Sequence, residues 1–125
     1  MTDKIKVLIV EDEKMLADMY KTKFEMDGFT AIQALNGQAG LDAAKADKPD
    51  IILLDIIMPK LDGFVVLQEL KKDPKTKNIP VILLTNLGQE DDIKKGKSLG
   101  ANDYFVKANH SPAEVVAKVK THLNK

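Results

Sequence analysis

The chain contains no cysteine. That excludes disulfides, zinc–thiolate centres, iron–sulfur clusters and thiol catalysis, and it suits a reducing compartment. It also has no excess of either charge: 19 lysines and arginines stand against 19 aspartates and glutamates, a formal net charge of +0. Nucleic-acid binders ordinarily carry a basic surplus, so no nucleic-acid partner is expected. Long hydrophobic runs are absent too. The most apolar stretch, Ile51 to Met58, is interrupted by Asp55 and stopped by Pro59. It is too short to span a bilayer. Met1-Thr2-Asp3-Lys4 leads straight into a strand-like run, unlike a signal peptide. No membrane partner and a cytoplasmic location are therefore expected, and the sequon Asn109-His110-Ser111 is read as accidental.

What remains is an ordinary globular composition, 44% hydrophobic and 30% charged over 125 residues. A chain of this length is expected to form one domain over residues 1–125, with no separate output domain. Lys6-Val7-Leu8-Ile9-Val10 reads as a buried strand, bounded by Glu11-Asp12-Glu13. From Glu13 to Asp27, Leu16, Met19, Tyr20 and Phe24 recur at helical spacing, and Gly28 supplies a stop. Thr30 to Ala34 is a weaker strand. Asn36 is placed to cap a helix from Gly37 to about Asp47, closed by Pro49. Asp50 to Leu54 is a third strand, and the helix after Gly63 turns Phe64, Leu67 and Leu70 inward until Asp73-Pro74. Val81 to Thr85 is a fourth strand. Gln89 to Leu99 is a poorly apolar helix anchored by Ile93 and Leu99, with Gly96 in its middle. Tyr104 to Val106 is a fifth strand. Ser111-Pro112-Ala113-Glu114 is a capping box opening a helix that buries Val115, Val116, Val119 and Leu123.

Strand and helix thus alternate five times. Such alternation predicts an α/β fold: a doubly wound, five-stranded parallel sheet with five helices covering both faces. Ligands of such sheets bind beyond the carboxyl ends of the strands. There the first strand delivers Glu11 and Asp12, the third Asp55, the fourth Thr85 and the fifth Lys107. An aspartate ending one strand often just caps a loop. Four strand ends presenting polar groups to one edge is a stronger pattern. Three carboxylates and one ammonium sum to −2, and like charges about 5 Å apart repel by roughly 3 kcal/mol at an effective dielectric near 20. A divalent cation would balance them. With hard oxygen ligands and no thiol, Mg2+ is favoured. Carboxylates, a hydroxyl and an ammonium at one edge outline a phosphoryl-transfer site.

The sequence resembles a two-component response-regulator receiver domain of the stand-alone, chemotaxis-regulator-like kind, over essentially its whole length. The resemblance rests on Glu11-Asp12, on Asp55 within Leu53-Leu54-Asp55-Ile56-Ile57-Met58-Pro59, and on Gly63, Thr85, Tyr104 and Lys107. It implies a flavodoxin-like sheet of order 2-1-3-4-5, the order that a member of this family illustrates. It implies that Asp55 accepts a phosphoryl group from a sensor histidine kinase or phosphotransfer protein. Glu11, Asp12, Asp55 and the Ile57 backbone carbonyl would hold Mg2+, directly or through water. Thr85 and Lys107 would bind the phosphoryl oxygens, and Tyr104 with Thr85 would form the switch. The helix from Gln89, the fifth strand and the last helix would form the face for a downstream protein target. A monomer or weak dimer is expected, and a phosphoacceptor rather than an enzyme.

The chain departs from the family pattern in places. Ala108 follows Lys107 where the family often has a proline after a cis bond, and a cis bond before a non-proline residue costs ~2.5–4 kcal/mol. Glu11 replaces the commoner aspartate. Ile57 and Leu87 occupy positions that in the family flank the attacking water, so slow self-dephosphorylation is expected. The alternative function is an unphosphorylated receiver-like interaction scaffold. A phosphohydrolase would need a second aspartate where Ile57 stands, and Gly96-Lys97-Ser98 lacks the earlier glycine of a phosphate loop. His110 and His122 are expected at the surface.

Overall fold

The computed structural model of the chain describes residues 4–58, 61–85, 90–107 and 110–123. Ten elements alternate within them: β1 (Lys6–Val10), α1 (Lys14–Met26), β2 (Thr30–Ala34), α2 (Gly37–Asp47), β3 (Ile51–Leu54), α3 (Gly63–Lys72), β4 (Val81–Thr85), α4 (Glu90–Ser98), β5 (Asp103–Val106) and α5 (Pro112–Leu123). The strands form one sheet of order β2-β1-β3-β4-β5. Every neighbouring pair is parallel. This is the expected doubly wound, flavodoxin-like arrangement.

The central strands are apolar throughout because both of their faces are covered. Successive side chains of a strand point to opposite faces. Leu8, Val10, Ile52, Leu54, Val81 and Leu83 pack with Leu41 and Ala44 of α2 and with Val66, Leu67 and Leu70 of α3. Val7, Ile9, Ile51, Leu53, Ile82, Leu84 and Phe105 pack with Tyr20 and Phe24 of α1 and with Val115, Val116 and Val119 of α5. Each fully buried side chain of this kind contributes about 1.5–3 kcal/mol.

The ends of the helices follow their local chemistry. Asn36 Oδ1 accepts from the Ala39 amide at 2.8 Å, and Asp62 Oδ1 accepts from the Phe64 amide at 2.8 Å. The capping box closes in both directions: Ser111 Oγ accepts from the Glu114 amide at 3.2 Å, and Glu114 Oε1 accepts from the Ser111 amide at 2.9 Å. Gly28 turns the chain after α1 at φ 92°, a conformation open to glycine at little cost.

Several expectations are corrected. Pro49 does not itself close α2; the chain already turns at Lys48, with φ 46°. Of the apolar positions of α1, Met19 is half exposed, because the helix packs on the sheet through the stripe Ala17, Tyr20 and Phe24. Leu123 is only partly buried at the edge of its cluster. The two histidines also have neighbours. His122 Nε2 lies 2.8 Å from Asp103 Oδ2, and the His110 ring stacks at a tilt on Phe105 with centroids 5.4 Å apart.

Candidate functional site

The parallel register sets the carboxyl ends of the strands side by side. Val10 pairs with Leu54, Leu54 with Leu83, and Thr85 with Val106. The residues that follow therefore converge. Backbone bonds carry the order beyond the strands, with the Asp55 amide donating to the Val10 carbonyl at 2.9 Å and the Glu11 amide to the Ala34 carbonyl at 3.0 Å.

Lys107 is the hub. Its Nζ donates to Glu11 Oε1 at 2.6 Å and to Asp55 Oδ2 at 3.0 Å. The other oxygen of each carboxylate accepts from a backbone amide two residues on. Glu13 N donates to Glu11 Oε2 at 3.1 Å, and Ile57 N donates to Asp55 Oδ1 at 3.2 Å. All three side chains are largely out of solvent: Lys107 is 11% exposed, Glu11 3% and Asp55 5%. Asp12 sits higher, half-buried at the rim. Carboxylate oxygens of Glu11, Asp12 and Asp55 come within 4.8 Å of one another. Above them opens a cleft of about 200 Å³, lined by Asp12, Glu13, Asp55, Ile57, Thr85 and Lys107.

Burial pushes the Glu11 carboxyl up to about 7, with the Lys107 bond pulling it down and the Asp55 charge raising it. Burial also works against the Lys107 ammonium, but its bonds to Glu11 and its attraction to Asp55 outweigh that, and its pKa lies above the ordinary value. The ammonium is thus held charged between two carboxylates. Three carboxylates against one ammonium leave negative charge facing the cleft, and their hard oxygens suit Mg2+.

Gly63 explains how Asp55 keeps its place. Its amide donates to the Ile56 carbonyl at 2.7 Å, folding the loop after β3 tightly back. A Cβ at this position would overlap the Asp55 carbonyl and the Ile56 backbone. Tyr104 lies further along, on β5 beneath α4, and is 8% exposed. Burial raises its phenol to about 12, so the hydroxyl keeps its proton.

The structure therefore gathers Glu11, Asp12, Asp55, Ile57, Thr85 and Lys107 around one cleft and sets Tyr104 outside it. Leu87 and the bond to Ala108 lie outside the described residues. Sequence reasoning missed Glu13, which lines the cleft, and Tyr20, which lies beneath it. Glu13 adjoined the acidic pair and could have been found. Tyr20 was visible only as a core position of α1.

Residues 7–120 match the family model described as the response regulator receiver domain. The chain belongs to the response-regulator receiver family. Receivers are phosphoacceptor signalling domains of two-component systems; they work with histidine kinases or phosphotransfer proteins and generally bind Mg2+ at an acidic pocket. This receiver is 41% identical over 122 residues to the probable transcriptional regulator ycf27 of Guillardia theta, covering 98% of this chain and 46% of that protein. It is 38% identical over 120 residues to the alkaline phosphatase synthesis transcriptional regulatory protein PhoP of Bacillus subtilis, covering 96% of this chain and 49% of that one. The receiver spans about half the length of the curated relatives it matches. Among solved structures, the Francisella response regulator 1452 receiver domain is 34% identical with a TM-score of 0.86, over 94% of this chain and 95% of that one. Chemotaxis protein CheY4 of Vibrio cholerae, 24% identical with a TM-score of 0.89 over 95% and 98%, shares the fold. No helix among the described residues is long and apolar enough to cross a membrane.

Proposed function

We propose that this receiver accepts a phosphoryl group on Asp55 from the phosphohistidine of a kinase or phosphotransfer protein and signals through a downstream protein. The observation that carries the reading is the shared ammonium: Lys107 binds Asp55 and Glu11 together at the floor of an acidic cleft that also contains Thr85. An Asp55 carboxylate oxygen attacks phosphorus, the P–N bond breaks, and the imidazole of the donor leaves with the bond's electrons. The product is an acyl phosphate.

The residues of the cleft divide the work. The Ile57 amide and Lys107 orient the Asp55 carboxylate before attack. As charge spreads over the phosphoryl oxygens, the Lys107 ammonium and the Thr85 hydroxyl stabilise it in a site already shaped for them. Glu11, Asp12, Asp55 and the Ile57 carbonyl would hold Mg2+, which when bound neutralises carboxylate and phosphoryl charge. Thr85 and Tyr104 would carry the change outward to the face made by α4, β5 and α5, where Tyr104 already touches α4.

A small phosphodonor such as acetyl phosphate, with Mg2+, tests the reading by intact mass. One phosphoryl adduct is expected, and none in Asp55→Asn. Absence of an adduct in the parent would leave an interaction scaffold, while continuous release of phosphate would indicate an enzyme.

A further inference from the structure

Gly96 seats α4 on the sheet. It is buried, and a Cβ there would come 2.5 Å from Leu83 Cδ1, 3.3 Å from Tyr104 Cδ2 and 3.6 Å from Tyr104 Cε2. One edge of the Tyr104 ring thus faces the backbone of α4 with no side chain between them. The charges of Asp92, one turn earlier on α4, and of Asp55 both act on the Tyr104 phenol. Because α4 follows the carboxyl end of β4, its first turn lies toward the cleft. The ring therefore runs beneath the helix from Gly96 toward the site. Leu83 is fully buried in β4, which is paired on both sides. By contrast, α4 is held by the partly buried Ile93 and Leu99 and by Lys95, whose ammonium lies 4.5 Å from the centroid of the Phe64 ring. The sheet is the firmer partner. A side chain added at Gly96 would move the helix and loosen its hold on Tyr104, since a packed interior has no room for another methyl.

We propose that Gly96 is a positioning residue for the switch: by letting α4 close on the Tyr104 ring it keeps that ring buried, and so couples the seat of α4 to phosphoryl binding at Asp55. The inference rests on the reading of Thr85 and Tyr104 as the switch. The ring touches the helix at one end and points toward the cleft at the other, so both bias the same side chain. Coupling between two sites is reciprocal. Whatever the seated helix contributes to phosphoryl binding, a bound phosphoryl group returns to the seat of α4. Mid-helix glycine thus has a role beyond close packing. It sets how firmly α4 holds the ring before any phosphoryl group arrives.

The probe is beryllofluoride, a phosphoryl mimic, with Mg2+. Its affinity is measured in the parent, Gly96→Ala, Tyr104→Leu and the double variant. Gly96→Ala is expected to bind it about tenfold more weakly, within the usual span of coupling between sites. With Tyr104→Leu already present, the same substitution should change the affinity by less than about twofold, because the ring that carries the effect is gone. Thr76→Val controls for lost stability. It removes the bond from the Thr76 hydroxyl to the Leu70 carbonyl, 2.7 Å long, in the connection that precedes β4 at the opposite edge of the sheet, and it should bind as the parent does. An affinity in Gly96→Ala that is unchanged or raised, an equal loss with and without Tyr104→Leu, or an equal loss in Thr76→Val overturns the role of Gly96. If Gly96→Ala fails to fold, the Gly96 amide resonance decides. It should move when beryllofluoride is added to the parent and move less in Tyr104→Leu; an unmoved resonance in the parent, or an equal shift in both, overturns the proposal. A parent that binds no beryllofluoride overturns the phosphoacceptor reading instead, which separates the two failures.

Discussion

At the scale of the residue, Glu11 is where the fold and the site pull in opposite directions. Its folded pKa is about 7 against an ordinary 4.5, chiefly through burial. The folded chain therefore holds this proton more tightly than the unfolded chain does. Glu11 contributes its stability below the unfolded value, and the contribution is lost as pH rises through about 7. Glu11→Gln is thus expected to raise the melting temperature near about pH 8, by on the order of 1 kcal/mol or a few degrees. Near about pH 4, where Glu11 is protonated in both states, the parent and variant should melt together. Thermal melts at the two pH values check it, and a less stable variant at the higher value would refute it. Ile57 carries a second prediction. It lines the cleft and is 54% exposed, yet its side chain cannot orient an attacking water. The aspartyl phosphate should persist for minutes or longer with Mg2+, as measured by loss of the mass adduct. Decay within seconds would contradict this, and Ile57→Asn should shorten the lifetime. Glu11, Asp55 and Lys107 were legible in the sequence because each directly follows a strand whose direction was known. Tyr20 was not, since helical spacing says that a residue is buried but not what it faces.

Among the elements, α4 is the most exposed to perturbation. Gly96 is its one buried residue among those described, and Ile93 and Leu99 pack only partly against the core. In sequence, a glycine in mid-helix looks like a loss of about 1 kcal/mol relative to alanine. Packing gives it a reason. A Cβ on Gly96 would come 2.5 Å from Leu83 Cδ1 and 3.3 Å from Tyr104 Cδ2, and Leu83 is fully buried. The glycine lets α4 lie directly on β4 and β5. Gly96→Ala should therefore destabilise the protein by about 1 kcal/mol, since overpacking costs ~1–3 kcal/mol and outweighs the gain in helix preference. Chemical denaturation checks the sign. Amides of α4 should also exchange faster than those of β1, β3 and β4, because few buried apolar contacts tie it down. Exchange as slow as in those strands would show α4 to be a firm part of the core. The capping box of α5 and the Asn36 cap of α2 needed no such correction, because both are set within four residues of chain.

For the whole molecule, the net charge of +0 is an average over unlike regions. Three carboxylates share one end of the sheet with one ammonium, while pairs such as Lys14–Asp18 and Lys21–Glu25 lie on the outside of α1. A divalent cation that binds the folded cluster stabilises the fold by mass action. With Mg2+ at about a hundred times its dissociation constant, the gain is about 2.7 kcal/mol. The melting temperature should rise accordingly on adding Mg2+ and fall back with a chelator, and Asp12→Asn should blunt the rise. An Mg2+-independent melting temperature in the parent would argue against a metal at this cluster.

The order of the elements, the apolar strands and the placement of chemistry at their carboxyl ends came from the sequence alone. These depend on patterns within a few residues and on the rule that parallel strands all end on one edge. Tertiary structure decided what touches what. It put one ammonium between Glu11 and Asp55, set Gly63 against the Asp55 carbonyl and Gly96 against Leu83, turned Met19 outward, and brought Tyr20 beneath the cleft. Those contacts join residues distant along the chain, up to 96 positions apart for Lys107 and Glu11. They depend on how helices rotate and seat on the sheet, which no local pattern specifies.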